Sequence, residues 1–281
     1  MSYLIEEKEI GDHRIQIYCD EDAQCPATNW DLVGVFLWEY NDRWRHTLSK
    51  ECNWEEVFGK NTYNNQSLED ALRQLVHEYV EWNDLLKYFK AGKIDNYRLI
   101  YDRSRRKWNL EFRYESDRNY FAWKSFEPSE LKNYDYTWEF IEDLEKDDLL
   151  QILNDLGKDV VFHEWSTTGY CQGDYVGGVA YCDIDRFRKM WGEPDKDWKE
   201  KAVKCMEGSA EEIGMWMWGD VKGYVLEKKV SYTKVFDDDE RDDEDDFDWE
   251  EVHSCWGFFM EAEELIDEII SEWGLKETEA A

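Results

Sequence analysis

Alternating and continuous apolar segments predict strands towards both ends of the chain. In HRIQIYC (13–19), Ile15, Ile17 and Cys19 fall on one face of an extended segment, and DLVGVFLWEY (31–40) is apolar enough for a buried strand. VVFHEW, VKGYVLEKKVSYTKVF and VHSCWGFF give further strand patterns, and STTGYCQGDYVGGVAYC indicates a glycine-rich strand pair. These segments are short, which favours several small antiparallel sheets.

Apolar residues at steps of three and four predict amphipathic helices between these strands. The clearest runs from Ser67 to Ala91, where Ser67 can cap the first turn and Gly92 can end the last. Similar patterns predict helices from Thr137 to Leu156, in DIDRFRKMWG, in KDWKEKAVKCMEGSAEEIGMWMWG, and from Ala262 to Trp273 before Gly274. The predicted fold class is therefore α+β, with short antiparallel sheets and several amphipathic helices packed on them.

The segment from Lys93 to Lys124 reverses the charge of the rest of the chain. Nine basic side chains there face five acidic ones, and YRLIYD, WNLEFRY and NYFAWKSF read as three strands of a meander with polar turns. One interpretation pairs these cations with carboxylates of the same protein; the other makes them a nucleic-acid patch, because basic and aromatic residues interleave. The predicted division is an N-terminal α+β region (1–92), a basic β-meander insertion (93–126) and a C-terminal α+β region (127–281) with an acidic hairpin insertion (237–251).

Composition restricts the classes of function. The formal net charge is −33 and the sequence pI is near 4.4, so the chain repels nucleic acids and anionic membranes at neutral pH. No apolar segment approaches the length of a membrane helix, and MSYLIEEKEIGDHR lacks the basic start and apolar core of a signal peptide. We expect a cytoplasmic protein with no direct nucleic-acid or membrane contact. The seven cysteines are odd in number and scattered, which favours reduced thiols.

An acidic run, DDDERDDEDDFDWEE (237–251), is the most unusual feature of the chain. It holds twelve carboxylates in fifteen positions, which in a helix would place one charge per roughly 1.9 Å, close to the roughly 1.7 Å of duplex DNA. Arginine and lysine sites accept carboxylates much as they accept phosphates, so the run can imitate DNA; the alternative is a solvated, self-repelling hairpin tip. The predicted partner-binding residues are Asp237, Asp238, Asp239, Glu240, Asp242, Asp243, Glu244, Asp245, Asp246, Asp248 and Trp249. Glu261, Glu264 and Glu268 add acidity on one face of the last predicted helix.

Three motifs resemble a known family. TTGYCQGDYVGGVAYC, GDVKGY and SCWGFF, together with WDLVGVFLWEYNDRW near the N-terminus, resemble uncharacterised proteins encoded by phages and mobile elements. The family has no established activity to carry over, and its two motif strands are joined by a short polar turn where this chain has the acidic run. Here His253 replaces the usual Asp before Ser-Cys-Trp. The motif positions are Cys171, Gly173, Asp174, Gly219, Asp220, Cys255, Trp256 and Gly257.

The leading hypothesis is a non-enzymatic phage-encoded inhibitor. It would bind a host complex that handles nucleic acid, of the restriction or CRISPR kind, by DNA mimicry, without cofactor or metal. The first alternative is an enzyme or small-molecule-binding protein with a pocket near Cys171, Asp174 and Cys255. The second is an interaction protein whose Arg103, Arg105 and Arg106 dock an acidic partner.

Metal and nucleotide sites have weaker support in the sequence. The acidic run has no glycine at the position where a calcium loop needs one. A zinc set of His163, Cys171, His253 and Cys255 would lack a close ligand pair of the usual spacing. The glycines form no phosphate-binding motif between a strand and a helix, and they indicate bulges and close strand contacts instead.

Overall fold

A computed structural model describes residues 3–42, 45–60, 66–114, 117–132, 137–169, 171, 174–234 and 244–276, with the backbone alone at 41–42, 45, 234 and 244–245. The strands are β1 (Leu4–Ile10), β2 (His13–Cys19), β3 (Val35–Asp42), β4 (Arg45–Leu48), β5 (Tyr97–Asp102), β6 (Lys107–Phe112), β7 (Phe121–Phe126), β8 (Val160–Thr168), β9 (Tyr175–Asp183), β10 (Lys222–Lys234) and β11 (Glu244–Phe258). The helices are α1 (Pro26–Asn29), α2 (Trp54–Phe58), α3 (Leu68–Tyr79), α4 (Trp82–Lys90), α5 (Thr137–Ile141), α6 (Lys146–Leu156), α7 (Ile184–Trp191), α8 (Trp198–Met217) and α9 (Ala262–Trp273), with a 3₁₀ turn at Glu130–Lys132.

Two compact units share the chain. The first combines Met1–Asn29, Gly169–Gln172 and Glu211–Ala281, and the second combines Trp30–Thr168 with Gly173–Ala210. The first unit thus joins the two ends of the chain, whereas the ranges 1–92, 93–126 and 127–281 divide the sequence in order.

A four-stranded antiparallel sheet with the order β1-β2-β10-β11 forms the first unit together with α9. One sheet face carries Ile15, Ile17 and Leu226, which pack against Leu265 and Ile269 of the helix. Side chains alternate between faces along a strand, so the residues between these positions lie on the other face. That second face carries polar and aromatic side chains, and we call it the outer face.

The pairing of β10 with β11 continues beyond the rest of this sheet. β2 pairs with β10 only from Lys222 to Lys228, whereas the β10 and β11 ladder reaches Lys234 opposite Glu244. The register shifts between Leu226 and Glu227, which marks a bulge. We call residues 227–234 and 244–251, the part of this hairpin on the far side of the bulge, the acidic ribbon.

The second unit contains two sheets and most of the helices. β4, β3, β9 and β8 form one antiparallel sheet, and β5, β6 and β7 form the predicted meander. Helices α3 and α6 pack together, and Phe140 of α5 lies in an aromatic cluster with Trp82, Phe89 and Phe126. Buried apolar side chains of β3, such as Phe36 and Leu37, complete this core.

The α+β class is confirmed, and several predicted boundaries are corrected. Ser67 caps α3 in a capping box with Asp70, as expected. The single helix predicted from Ser67 to Ala91 is two helices, because Val80, a β-branched residue, is extended between them. The helix predicted from Thr137 to Leu156 is also two, α5 and α6. Strand β1 was not predicted.

Candidate protein-docking surface

The second half of the acidic run is part of a strand. Asp237, Asp238, Asp239, Glu240, Asp242 and Asp243 lie outside the described residues, while residues 244 to 251 belong to β11. The prediction that the whole run joins two strands was therefore wrong for its second half. There, pairing with β10 and the strand propensity of Phe247 and Trp249 outweigh the repulsion between carboxylates. The helical charge spacing does not apply to that half either, because a strand rises about 3.4 Å per residue.

Strand geometry separates the side chains of the ribbon by chemistry. Phe247 and Trp249 alternate with Asp246, Asp248 and Glu250, so the aromatic rings lie on the outer face and these carboxylates on the opposite face. Glu244 and Asp245 occupy the paired backbone of the same strand. Six carboxylates in eight residues over roughly 27 Å give one per roughly 4.5 Å. That spacing is nearer to the roughly 3.4 Å of a single nucleic-acid strand than to the roughly 1.7 Å of a duplex.

Two aspartates are fixed at the free edge of β11. Asp248 Oδ1 accepts a hydrogen bond from the Trp249 amide at 2.8 Å, and Asp246 Oδ1 accepts one from the Phe247 amide at 2.9 Å. β11 is the last strand of its sheet, so these amides would otherwise be open to pairing with another chain. These hydrogen bonds satisfy the two edge amides and hold both carboxylates in defined positions.

Cations of the chain hold the aromatic side of the ribbon. The Arg14 guanidinium lies 4.7 Å from the ring centre of Trp249 and binds Glu227 through Nη2 at 2.5 Å and through Nε at 2.6 Å. Lys229 Nζ lies 3.6 Å from the ring centre of Phe247. The Arg14 contacts anchor the ribbon to β2, and both cations neutralise part of its charge. No local sequence pattern points to Arg14, because the pairing of β2 with β10 spans more than 200 residues of chain.

Two of the motif segments, GDVKGY and SCWGFF, lie on neighbouring strands of one sheet. GDVKGY leads into β10 and SCWGFF ends β11, and Gly223 pairs with Trp256 while Tyr224 pairs with Cys255. Asp220 binds the buried Lys222 at 2.8 Å. The Tyr224 hydroxyl contacts His253 Nδ1 at 3.0 Å, and burial raises the pKa of Tyr224, with Glu272 adding to the effect.

The motif glycines have structural roles. Gly219 follows α8 with φ at 70°, and Gly257 ends the motif strand with φ at 88°, both in the region that favours glycine. Gly223 leaves room for the Trp256 ring. The mutual contacts of the motif residues explain their spacing as a packing requirement of this sheet.

The predicted enzyme residues differ in exposure and in surroundings. Cys171 is exposed, Asp174 is half-buried just before β9, and Cys255 packs at the edge of the α9 core. Gly173 lies outside the described residues. Within the described ranges, no three His, Cys, Asp or Glu side chains are grouped closely enough to hold a metal ion.

Three cations of the basic meander bind carboxylates of the same chain. Arg98 binds Glu111 at 2.7 Å, Lys107 binds Glu127 at 3.1 Å, and Lys124 binds Glu142. For these residues the interpretation of a paired, solvated sheet is confirmed. Arg105, at the β5–β6 turn, lies 3.8 Å from Asp102.

The chain was compared with protein-family models, with curated proteins and with solved structures, and none of the three gave a match. Among the described residues, no helix has both the length and the apolar character of a membrane span.

Proposed function

We propose that this protein binds a basic, nucleic-acid-handling protein through the acidic ribbon and thereby blocks that protein's nucleic-acid site. The observation that carries the proposal is the β10–β11 ladder beyond Lys228, which presents exposed carboxylates at fixed positions. Asp248 and Glu250 are exposed, and Asp246 and Asp248 are held by backbone hydrogen bonds. A surface ordered before binding loses less entropy on association than a flexible acidic tail does.

The geometry favours mimicry of one nucleic-acid strand. The charge spacing of the extended strand is close to that of a single strand, and aromatic rings alternate with the carboxylates as bases alternate with phosphates. Proteins that bind single strands combine a basic groove with surfaces on which rings stack. Such a groove can accept both the carboxylates and the rings of β11.

The resemblance to phage and mobile-element proteins supports a target in host defence. An inhibitor of a restriction or CRISPR complex must compete with nucleic acid for a basic groove. The high negative charge of the chain would speed its encounter with such a groove and make binding sensitive to salt.

A pull-down with charge-matched variants tests the proposal. The ribbon variant carries Asp246→Asn, Asp248→Asn and Glu250→Gln, which retain oxygen acceptors for the edge amides. The control variant carries Glu264→Gln, Glu268→Gln and Glu272→Gln on the exposed side of α9, and so changes the net charge equally. From a bacterial lysate, the unchanged protein and the α9 variant should retain the same nucleic-acid-binding protein, and the ribbon variant should lose it. Equal retention by all three would exclude the ribbon as the binding surface.

A further inference from the structure

Trp256 forms an open platform on the outer face, near the C-terminal end of β11. A Cβ placed on Gly223 of β10 would lie 2.1 Å from Trp256 Cε3 and 2.4 Å from Cδ2, so the indole ring rests directly on the glycine backbone. The side chain nevertheless keeps 43% of its surface exposed. One face of the ring is therefore supported by the sheet, and the other is available to a ligand.

The other aromatic rings of β11 on this face already contact cations. Arg14 stacks on Trp249 at 4.7 Å, and Lys229 lies over Phe247 at 3.6 Å. In the described part of the chain, no lysine or arginine lies over the Trp256 ring. Three aromatic rings of β11 therefore lie on the outer face. Two of them contact a cation of the chain, and no described cation contacts the third, Trp256.

The surroundings of Trp256 favour a positively charged ligand. Tyr18 lies beside it with ring centres 6.2 Å apart, and its hydroxyl donates to Gln16, whose amide donates to the exposed carboxylate of Glu7. On the other side, Ser254 donates to Glu251 at 2.8 Å. The Glu251 carboxylate adds attraction for a cation to that of the ring quadrupole. Glu7 is more distant, on β1, and it also lies 3.9 Å from Arg14.

We infer that Trp256 binds an arginine side chain of the protein partner. The guanidinium is planar and weakly hydrated, so it stacks on an open indole face better than a lysine ammonium does. The contact between Arg14 and Trp249 shows the same pairing within the chain, with a carboxylate holding the guanidinium. This inference rests on the proposed function and deepens it, because it names a side chain that the basic partner supplies.

Fluorescein-labelled nona-arginine and nona-lysine peptides test the inference by fluorescence anisotropy at physiological ionic strength. Trp256→Leu keeps an apolar side chain over Gly223 without an aromatic face, and Trp256→Tyr keeps the face. Trp191→Ala, at an exposed tryptophan of α7, is the control. We expect Trp256→Leu to weaken nona-arginine binding by roughly three- to tenfold and nona-lysine binding by less than about twofold. Trp256→Tyr and Trp191→Ala should bind both peptides nearly as the unchanged protein does.

Circular dichroism checks that each variant is folded, and the ribbon variant separates this inference from the proposed function. If the ribbon variant loses both peptides while Trp256→Leu binds nona-arginine normally, the platform is excluded and the ribbon stands. If Trp256→Leu loses nona-arginine selectively while the ribbon variant binds normally, the platform stands and the ribbon is excluded. Failure of the unchanged protein to bind nona-arginine would overturn both.

Discussion

Arg14 Nη2 lies 2.5 Å from Glu227 Oε2, and this ion pair joins β2 to β10 where the acidic ribbon begins. Both side chains are largely shielded from solvent, with 21% and 15% of their surfaces exposed. Glu227 also lies opposite Glu251 in the ladder, so two carboxylates face each other across the strands. Arg14 therefore offsets a repulsion that would otherwise push β10 and β11 apart at the start of the ribbon.

Removal of this ion pair should destabilise the first unit. Arg14→Gln leaves Glu227 partly buried without its guanidinium, and we expect a loss of about 1.5–3 kcal/mol in the free energy of unfolding. Urea unfolding measures the change. The double variant with Glu227→Gln should lose less than the sum of the two single changes, because each single change already removes the same ion pair. Strictly additive losses would show that the pair does not couple the strands.

Substitution of Gly223 tests the support beneath Trp256. Gly223→Ala places a methyl group 2.1 Å from the indole, and the ring has no flexible end that can move aside. We expect a destabilisation of about 1–3 kcal/mol. Gly208→Ala in α8 is the matched control, because a Cβ there meets no atom within 4 Å and alanine favours the helix by about 1 kcal/mol. Thermal unfolding should shift in opposite directions for the two variants.

Ionisation of Asp148, near the start of α6, should make the stability of the protein depend on pH. Burial raises the pKa of Asp148 above its ordinary 3.8, and the neighbouring Glu145 adds to the effect. As pH rises from 3.8 through the raised pKa, the unfolded chain loses this proton before the folded protein does, so ionisation of Asp148 lowers stability over that window. Asp148→Asn should therefore stabilise the protein at neutral pH, and its advantage should vanish at and below pH 3.8.

Urea unfolding over this pH range checks that expectation. Asp147→Asn, at an exposed neighbour in the same helical turn, is the control and should show a weaker pH dependence. A difference between Asp148→Asn and the unchanged protein that is constant with pH would contradict the assignment.

Local features of the sequence predicted where helices and strands lie better than they predicted which strands pair with each other. Ser67 and Gly274 mark helix ends through capping chemistry that lies within a few residues, and the three meander strands follow from their own alternation. The union of β2 with β10 depends on side chains about 200 residues apart, such as Arg14 and Glu227, and no local pattern reports it. The acidic strand was missed because six carboxylates in eight residues conceal the alternation of Phe247 and Trp249.

The edge aspartates should also protect β11 from pairing with another molecule. Asp246→Ala together with Asp248→Ala removes the acceptors of the Phe247 and Trp249 amides and exposes a strand edge to self-association. The matched variant with Asn at both positions removes the same charge but keeps an acceptor oxygen. Analytical ultracentrifugation over a range of concentrations should show more association for the alanine variant. Equal association would assign the protection to charge alone.

The most direct test of the ribbon as a single-strand mimic is competition for the protein that it captures. Single-stranded and duplex oligonucleotides would be added, at equal phosphate concentration, to the complex of the unchanged protein with its nucleic-acid-binding partner. The account predicts that the single strand displaces the partner at the lower phosphate concentration, and that the ribbon variant forms no complex to displace. A complex that withstands both oligonucleotides, or that forms equally well with the ribbon variant, would contradict it.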